Sequence, residues 1–158
     1  MRTDGNVAKK RGEGVSDRAY LEWIADLKRR YRRTQIKAAV SVNSAMLEFY
    51  WSLGKDISGK YPGKKRNLGF FDNLSNDLCL GIKNPVGLSA SNLRYAYRFF
   101  DLYSLVQQVV ADNGVADLMK VPWGHHIVII GKSKGDRDKA LFYVRKTIEN
   151  GWQWQRPH

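Results

Sequence analysis

Gly87-Leu88-Ser89-Ala90-Ser91-Asn92-Leu93-Arg94-Tyr95-Ala96-Tyr97-Arg98-Phe99-Phe100-Asp101-Leu102-Tyr103 is the stretch that decides the fold class. Ser89 has a short side-chain oxygen suited to accept a backbone N–H at a helix start. From there Leu93, Ala96, Phe100 and Tyr103 recur at helical spacing. That pattern predicts a helix from Ser89 to Val109 with this stripe facing inward. Just upstream, Lys83-Asn84-Pro85-Val86-Gly87 reads as a turn, because proline and glycine both stop helices. Before the turn, Phe70, Leu74, Leu78 and Ile82 share one side of a shorter helix over residues 70–82. Helix, short turn, helix is the spacing of a helix-turn-helix, whose second helix enters the DNA major groove by its N-terminal residues.

Working outward, Ser16 or Asp17 is suited to cap a long helical region. Tyr20, Ile24, Leu27 and Tyr31 form one apolar stripe, widened by Trp23, and Leu47, Tyr50, Leu53 and Ile57 form another. Residues 17–58 are therefore one long helix or two helices meeting near Arg33-Thr34. A straight rod of that length would measure roughly 60 Å at 1.5 Å per residue, so a break or a protruding hairpin is expected. Residues 58–67 (SGKYPGKKRN) read as a basic loop. Asp112-Asn113-Gly114 is a break, and Pro122 fits the first turn of a short helix reaching Ile130. Its β-branched run Ile127-Val128-Ile129-Ile130 leaves a strand as the alternative. A last helix is expected over residues 137–150, stopped by Gly151. Residues 1–16, with Gly5, Gly12, Gly14 and almost no apolar side chain, read as a flexible basic arm. The expectation is an all-α chain: the arm at 1–16, then a single helical domain at 17–158.

Composition limits the function. The 158 residues hold 27 Lys and Arg against 15 Asp and Glu, a net charge of +12 that favours polyanionic partners. Cys79 stands alone, so no intrachain disulfide and no cysteine metal cage is available. No apolar run approaches the roughly 18–20 residues of a membrane span. The first 17 residues lack the apolar centre of a signal peptide, which makes a cytoplasmic location the expectation.

The sequence offers little for catalysis. It has no phosphate-cradling Walker loop and no dinucleotide glycine fingerprint. Adjacent helical histidines point about 100° apart, so His125-His126 do not chelate a metal in the i, i+4 manner; one is expected buried and one exposed. Cys79, between Leu78 and Leu80, reads as a packing residue. Asp26-Leu27-Lys28 and Asp138-Lys139 only faintly echo a metal-nuclease pattern, without its clustered carboxylates. We expect no catalytic residue, no metal and no cofactor.

Binding is better represented. Lys28, Arg29, Arg30, Arg32, Arg33 and Lys37 are six basic residues in ten, with no acid among them. Lys64, Lys65 and Arg66, with Lys60 just before them, form a second patch. The third lies at the start of the helix from Ser89: Ser89, Ser91, Asn92, Arg94, Tyr95 and Arg98. Free backbone N–H groups there suit a phosphate, and Asn and Arg suit adenine and guanine edges. Asn92 serves equally well as a structural residue. These residues form the expected nucleic-acid interface, with duplex DNA as the partner.

Five separated motifs also carry a resemblance. They are Tyr50-Trp51-Ser52-Leu53-Gly54, Leu74-Ser75-Asn76-Asp77-Leu78, residues 87–93, Pro122-Trp123-Gly124-His125-His126, and Phe142-Tyr143 with Thr147-Ile148-Glu149-Asn150-Gly151-Trp152. Their order and spacing over residues 20–152 resemble the N-terminal domain of the YhcG-like family, also called domain of unknown function 1016. The resemblance implies an α-helical, DNA-associated domain of bacterial or archaeal origin. It implies one that normally precedes a PD-(D/E)xK nuclease domain, with roles in mobile elements or defence against foreign DNA. Two departures stand out. Leu68-Gly69 replaces the family's Trp-Gly, and the chain ends at His158, so that the nuclease domain is expected to be absent. The leading expectation is a non-catalytic DNA-binding domain. The alternative is a protein–protein module that dimerises or docks a separately encoded nuclease; RNA binding and catalysis rank below both.

Overall fold

The structure, a computed structural model, describes residues 17–109 and 117–150, without the side chains of Asp17, of 34–42, of Lys64 and of 106–109. The expected arm, the break at Asp112-Asn113-Gly114 and the stop at Gly151 lie outside the described residues, as do the Lys37 and Lys64 side chains. The elements are α1 (Asp17–Lys60), a 3-10 turn (Gly63–Lys65), α2 (Phe70–Cys79), α3 (Ala90–Val109), α4 (Trp123–Ser133) and α5 (Arg137–Glu149), with no strand among the described residues. The fold is all-α. Residues 127–130 lie inside α4, so the helical reading of that β-branched run holds and the strand does not form.

Helical backbone continues through all 44 residues of α1, yet α1 is not a straight rod. Trp23 Nε1 donates to Asp56 Oδ2 at 2.9 Å, and Arg30 Nη1 donates to Ser52 Oγ at 2.5 Å. The Tyr31 and Phe49 rings meet edge to face at 5.5 Å. In a straight helix Trp23 and Asp56 would be about 50 Å apart. The helical path therefore turns back between Tyr31 and Phe49 and its two arms pack antiparallel. The turn was expected near Arg33-Thr34. The cross-arm pairs are instead centred about position 40, some seven residues later. Both stripes read from the sequence are consumed here: Leu27, Leu47, Leu53 and Ile57 are fully buried, and Tyr20, Trp23, Ile24, Tyr31 and Tyr50 nearly so.

The most extensive contact in the fold is α1 against α3. It is close because Gly54 presents no side chain: a Cβ there would sit 2.5 Å from the Ala96 carbonyl oxygen. Trp51 closes the same seam edge to face on Phe99 and Phe100. The inner stripe of α3 is Leu93, Ala96, Phe99, Leu102 and Tyr103. Phe100, expected in that stripe, is half-buried at its edge.

α2 ends at Cys79, three residues before the expected Ile82, because Leu80 turns extended and Gly81 takes φ +80°. Ile82 is still buried, but from the connection and not from the helix. That connection spans residues 80–89 and is longer than the three or four residues of a helix-turn-helix turn. Three hydroxyls hold its end in place. Tyr31 Oη donates to the Val86 carbonyl at 2.6 Å and accepts from Val86 N at 2.8 Å. Tyr50 Oη donates to the Gly87 carbonyl at 2.7 Å, and Ser75 Oγ to the Leu88 carbonyl at 2.6 Å. Gly87 adopts φ +81°, and a Cβ on it would lie 2.6 Å from the Tyr50 hydroxyl, so glycine is required twice over.

Candidate nucleic-acid interface

Of the six basic residues expected to act together on α1, five have described side chains, and these do not act as one patch. Arg30 turns inward. It lies 2.6 Å from Asp56, donates to Ser52, and pairs with Asp26 one turn earlier. Burial alone would lower its pKa, but the hydrogen bonds to Asp26 and Asp56 more than offset that and leave it raised. The Asp26 carboxyl is held below its usual range, chiefly by its hydrogen bond from Arg30. Arg30 is therefore a structural ion-pair residue and leaves the candidate interface. The compensating acids were hidden from the sequence window because Asp56 comes from the opposite arm. Arg29 also pairs with Asp26, at 3.5 Å and in solvent. Lys28, Arg32 and Arg33 have no acid within ion-pair distance among the described residues, and Arg32 and Arg33 are exposed. Lys28 faces the 80–89 connection, its Nζ being 4.0 Å from the point where a Gly81 Cβ would stand.

Ser89 caps α3 as expected, its Oγ accepting from Asn92 N at 3.1 Å, while its carbonyl accepts from Leu93 N. Ser91 is exposed beside it. Asn92 belongs to the structure: its Oδ1 accepts the Trp123 indole N–H at 2.9 Å. That bond joins α3 to α4, and Asn43 reinforces it by bonding the Val121 carbonyl and the Trp123 backbone N–H. Asn92 is thereby withdrawn from base reading. An indole N–H turned into the protein needs an acceptor, so the presence of both residues among the shared motifs was the available signal.

Arg94 and Arg98 share the outer side of α3. The Arg94 guanidinium lies 5.2 Å from the Phe71 ring centre, and that of Arg98 lies 5.1 Å from Tyr95, which thus serves as a platform. Arg66 lies over Tyr97 at 4.2 Å and donates to the Tyr61 carbonyl. Arg66 and Arg94 flank one open groove with Leu68, Phe70 and Phe71. Leu68, at the departure from the family's Trp-Gly, is fully exposed, and Gly69 starts α2 with φ +88°. Lys65 is exposed on the preceding turn. The structure thus joins the second and third sequence patches along α3.

His125 and His126 are both buried, which corrects the expectation of one exposed ring. α4 is packed against α3 on one side and α5 on another, so two adjacent positions are covered. His126 Nε2 bonds the Leu118 carbonyl at 2.8 Å, and burial drives its pKa down to about 4. Phe99 and Trp123 surround it, with Tyr50 stacked on Trp123 at 4.3 Å. Asp77, which sequence reasoning did not single out, is buried and accepts from the Tyr20 hydroxyl at 2.6 Å. Among the described residues there is no cluster of three or more His, Cys, Asp or Glu able to hold a metal, and no helix long and apolar enough to cross a membrane.

The motifs of the resemblance thus have identified work: Tyr50, Trp51 and Gly54 build the α1–α3 seam, Ser75 and Gly87 fix the connection, and Trp123 locks α4 to Asn92. No curated protein and no solved structure matches the chain. The model of the DUF1016 N-terminal domain matches residues 26–156, which spans nearly every element described above. The chain belongs to the DUF1016 N-terminal domain family.

Proposed function

We propose that this domain is a non-catalytic module that binds duplex DNA and serves a nuclease-associated system. One observation carries the reading: on a chain of net charge +12, Lys28, Arg32, Arg33, Lys65, Arg66, Arg94 and Arg98 have no acid partner among the described residues. Most charge runs are neutralised by neighbours. Among the described side chains of this one, ion pairs form at Arg29 and Arg30. The face on α3 has a capped start and two arginines held over aromatic rings, which limits the side-chain freedom lost on binding. Because the 80–89 connection is long, α3 is proposed as a DNA-facing helix and not as the second helix of a tight helix-turn-helix. The competing docking role would have been favoured by an exposed apolar stripe over residues 36–57. Its described members Leu47, Tyr50, Leu53 and Ile57 are instead buried in the protein's own core.

The test is fluorescence anisotropy with a random-sequence duplex at several salt concentrations. Neutralising about five phosphates gives a log–log slope of about −4.5. Arg32→Ala and Arg94→Ala should each reduce that slope by about one. Arg29→Ala, already paired with Asp26, should change it less. Affinity that is flat in salt would refute DNA binding through this surface.

A further inference from the structure

The Arg98 side of α3 borders a second cavity, separate from the Arg66–Arg94 groove. Its volume is about 170 Å³, and it is lined by Arg98, Asp101 and Leu102 of α3, Ile130 of α4, Gly135, and Arg137 at the start of α5. Lys134 and Gly135 both adopt left-handed backbone, at φ +49° and +87°, and this sharp turn brings the first residue of α5 to the cavity. Asp136 is engaged elsewhere, capping α5 by accepting from Lys139 N at 3.1 Å.

The two arginines are unusual in what they lack. Arg137 Nε is buried and has no hydrogen-bond acceptor among the described residues. Guanidinium Nε–H is a permanent donor on a permanent charge, so leaving it desolvated and unpaired is costly. Both arginine side chains are half-buried, and neither has a carboxylate within ion-pair distance among the described residues. Arg98 is steadied by the Tyr95 ring. Asp101 is the one acid in the lining and is exposed, so the lining carries a formal charge of +1. One water needs only about 10–15 Å³ of such space, so the cavity has room for a tetrahedral oxyanion with its hydration.

We propose that this cavity is a phosphate-binding site, with Arg98 and Arg137 as its two guanidinium forks. Guanidinium pairs with phosphate through parallel N–H···O bonds, and both arginines line this one cavity. A phosphate offers enough acceptors to satisfy both forks at once. Asp101 opposes the anion and limits affinity. The occupant is a phosphate group, from a DNA strand or from a small phosphorylated molecule. The site does not depend on the duplex-binding proposal, since inorganic phosphate alone probes it.

Titration calorimetry of the full chain with inorganic phosphate, at constant ionic strength set by chloride, tests the site. Saturable one-to-one binding is expected, weakened at least tenfold by Arg98→Gln and by Arg137→Gln. Asp101→Asn should tighten it severalfold, which no general loss of structure would produce. A second arm separates the sources, using a short duplex with and without a 5′-phosphate. Tighter binding of the phosphorylated duplex, lost in Arg137→Gln, assigns a terminal phosphate. Equal weakening of both duplexes in that variant assigns a backbone phosphate, and no effect on either assigns a small molecule. No saturable phosphate binding, or binding unchanged in both arginine variants and in Asp101→Asn, overturns the proposal. Loss of duplex binding with phosphate binding intact would defeat only the DNA reading.

Discussion

Gly54→Ala adds one methyl group to the tightest point of the fold. The new Cβ would stand 2.5 Å from the Ala96 carbonyl oxygen and 2.7 Å from Phe100 Cβ. Carbon contacts are most favourable at about 3.5–4.0 Å, so α1 and α3 must separate by roughly 1 Å. A gap of about 0.5–1 Å forfeits a quarter to a half of each contact's attraction. Leu53, Leu93, Ala96 and Phe99 are all 0% exposed, so the loss falls on densely packed side chains and not on solvated ones. A buried leucine makes about 40–60 contacts worth about 0.1–0.2 kcal/mol each, so if about half of the contacts of these four residues face the seam, losing a quarter of their attraction costs about 4 kcal/mol. Against it stands the helix preference for Ala over Gly, about 1 kcal/mol. The net expectation is destabilisation by about 3 kcal/mol and a Tm lower by about 10 °C.

The control is the same substitution where nothing is near. A Cβ on Gly131, in α4, meets no atom within 4 Å. Gly131→Ala should therefore stabilise by about 0.5–1 kcal/mol. Urea unfolding of the two variants beside the parent checks both signs. If Gly54→Ala stays within about 1 kcal/mol of the parent, the close α1–α3 approach does not exist and the account of the Tyr50–Gly54 motif fails with it.

Two further outcomes follow from the charged and titratable groups inside the fold. Arg30→Ala should cost about 1–3 kcal/mol, because it removes the charged partner of the largely buried Asp56 carboxylate and leaves it the Trp23 indole N–H, whereas Arg29→Ala should change stability by less than about 0.5 kcal/mol; equal urea midpoints would refute the division of labour. His126 has a folded pKa of about 4 against 6.5 unfolded, so the unfolded chain binds the extra proton first and stability drops as pH falls from 6.5 toward 4. The loss should reach about 3 kcal/mol and should flatten in His126→Gln, which keeps a donor for the Leu118 carbonyl; a parent Tm insensitive to pH in that window would refute it.

Much of the scaffold was legible because helices announce themselves locally. The stripes at 20–31, 47–57 and 93–103 needed only spacing, and their members are buried except Phe100, which is half-buried at the edge of the third. The placement of the reversal in α1 was not legible: the expected junction lay near Arg33-Thr34, whereas the pivot is set by which side chains meet across the arms. Arg30 looked like its neighbours because nothing within ten residues reveals that Asp56 will lie 2.6 Å away. The choice between the two roles open to Asn92, and the burial of the second histidine, were hidden for the same reason, since α4 covers or carries these residues only after folding. Arg137 was missed because one arginine at a helix start is unremarkable until Arg98 faces the same cavity. In each case the missing information was a partner distant in sequence, and polar side chains are the ones whose roles depend on partners.

That distinction also orders the surface. Tyr31, Tyr50 and Ser75 donate to three consecutive carbonyls, Val86, Gly87 and Leu88, immediately before α3 begins. Two of those donors sit on α1 and one on α2, so the start of α3 is fixed to both. Lys28, on the α1 arm that also carries Tyr31, faces the same connection. The basic arm of α1 and the arginine side of α3 are therefore held in one fixed relation by buried hydroxyls and not by their own charges. Mutually repelling cations would otherwise tend to separate. Holding them together without neutralising them requires uncharged anchors, and tyrosine and serine hydroxyls on backbone carbonyls meet that requirement. The shared motifs supply two of the three anchors, Tyr50 and Ser75, and the close-packing Gly54 and Gly87, while Lys28, Arg94 and Arg98, outside them, have no acid within ion-pair distance among the described residues.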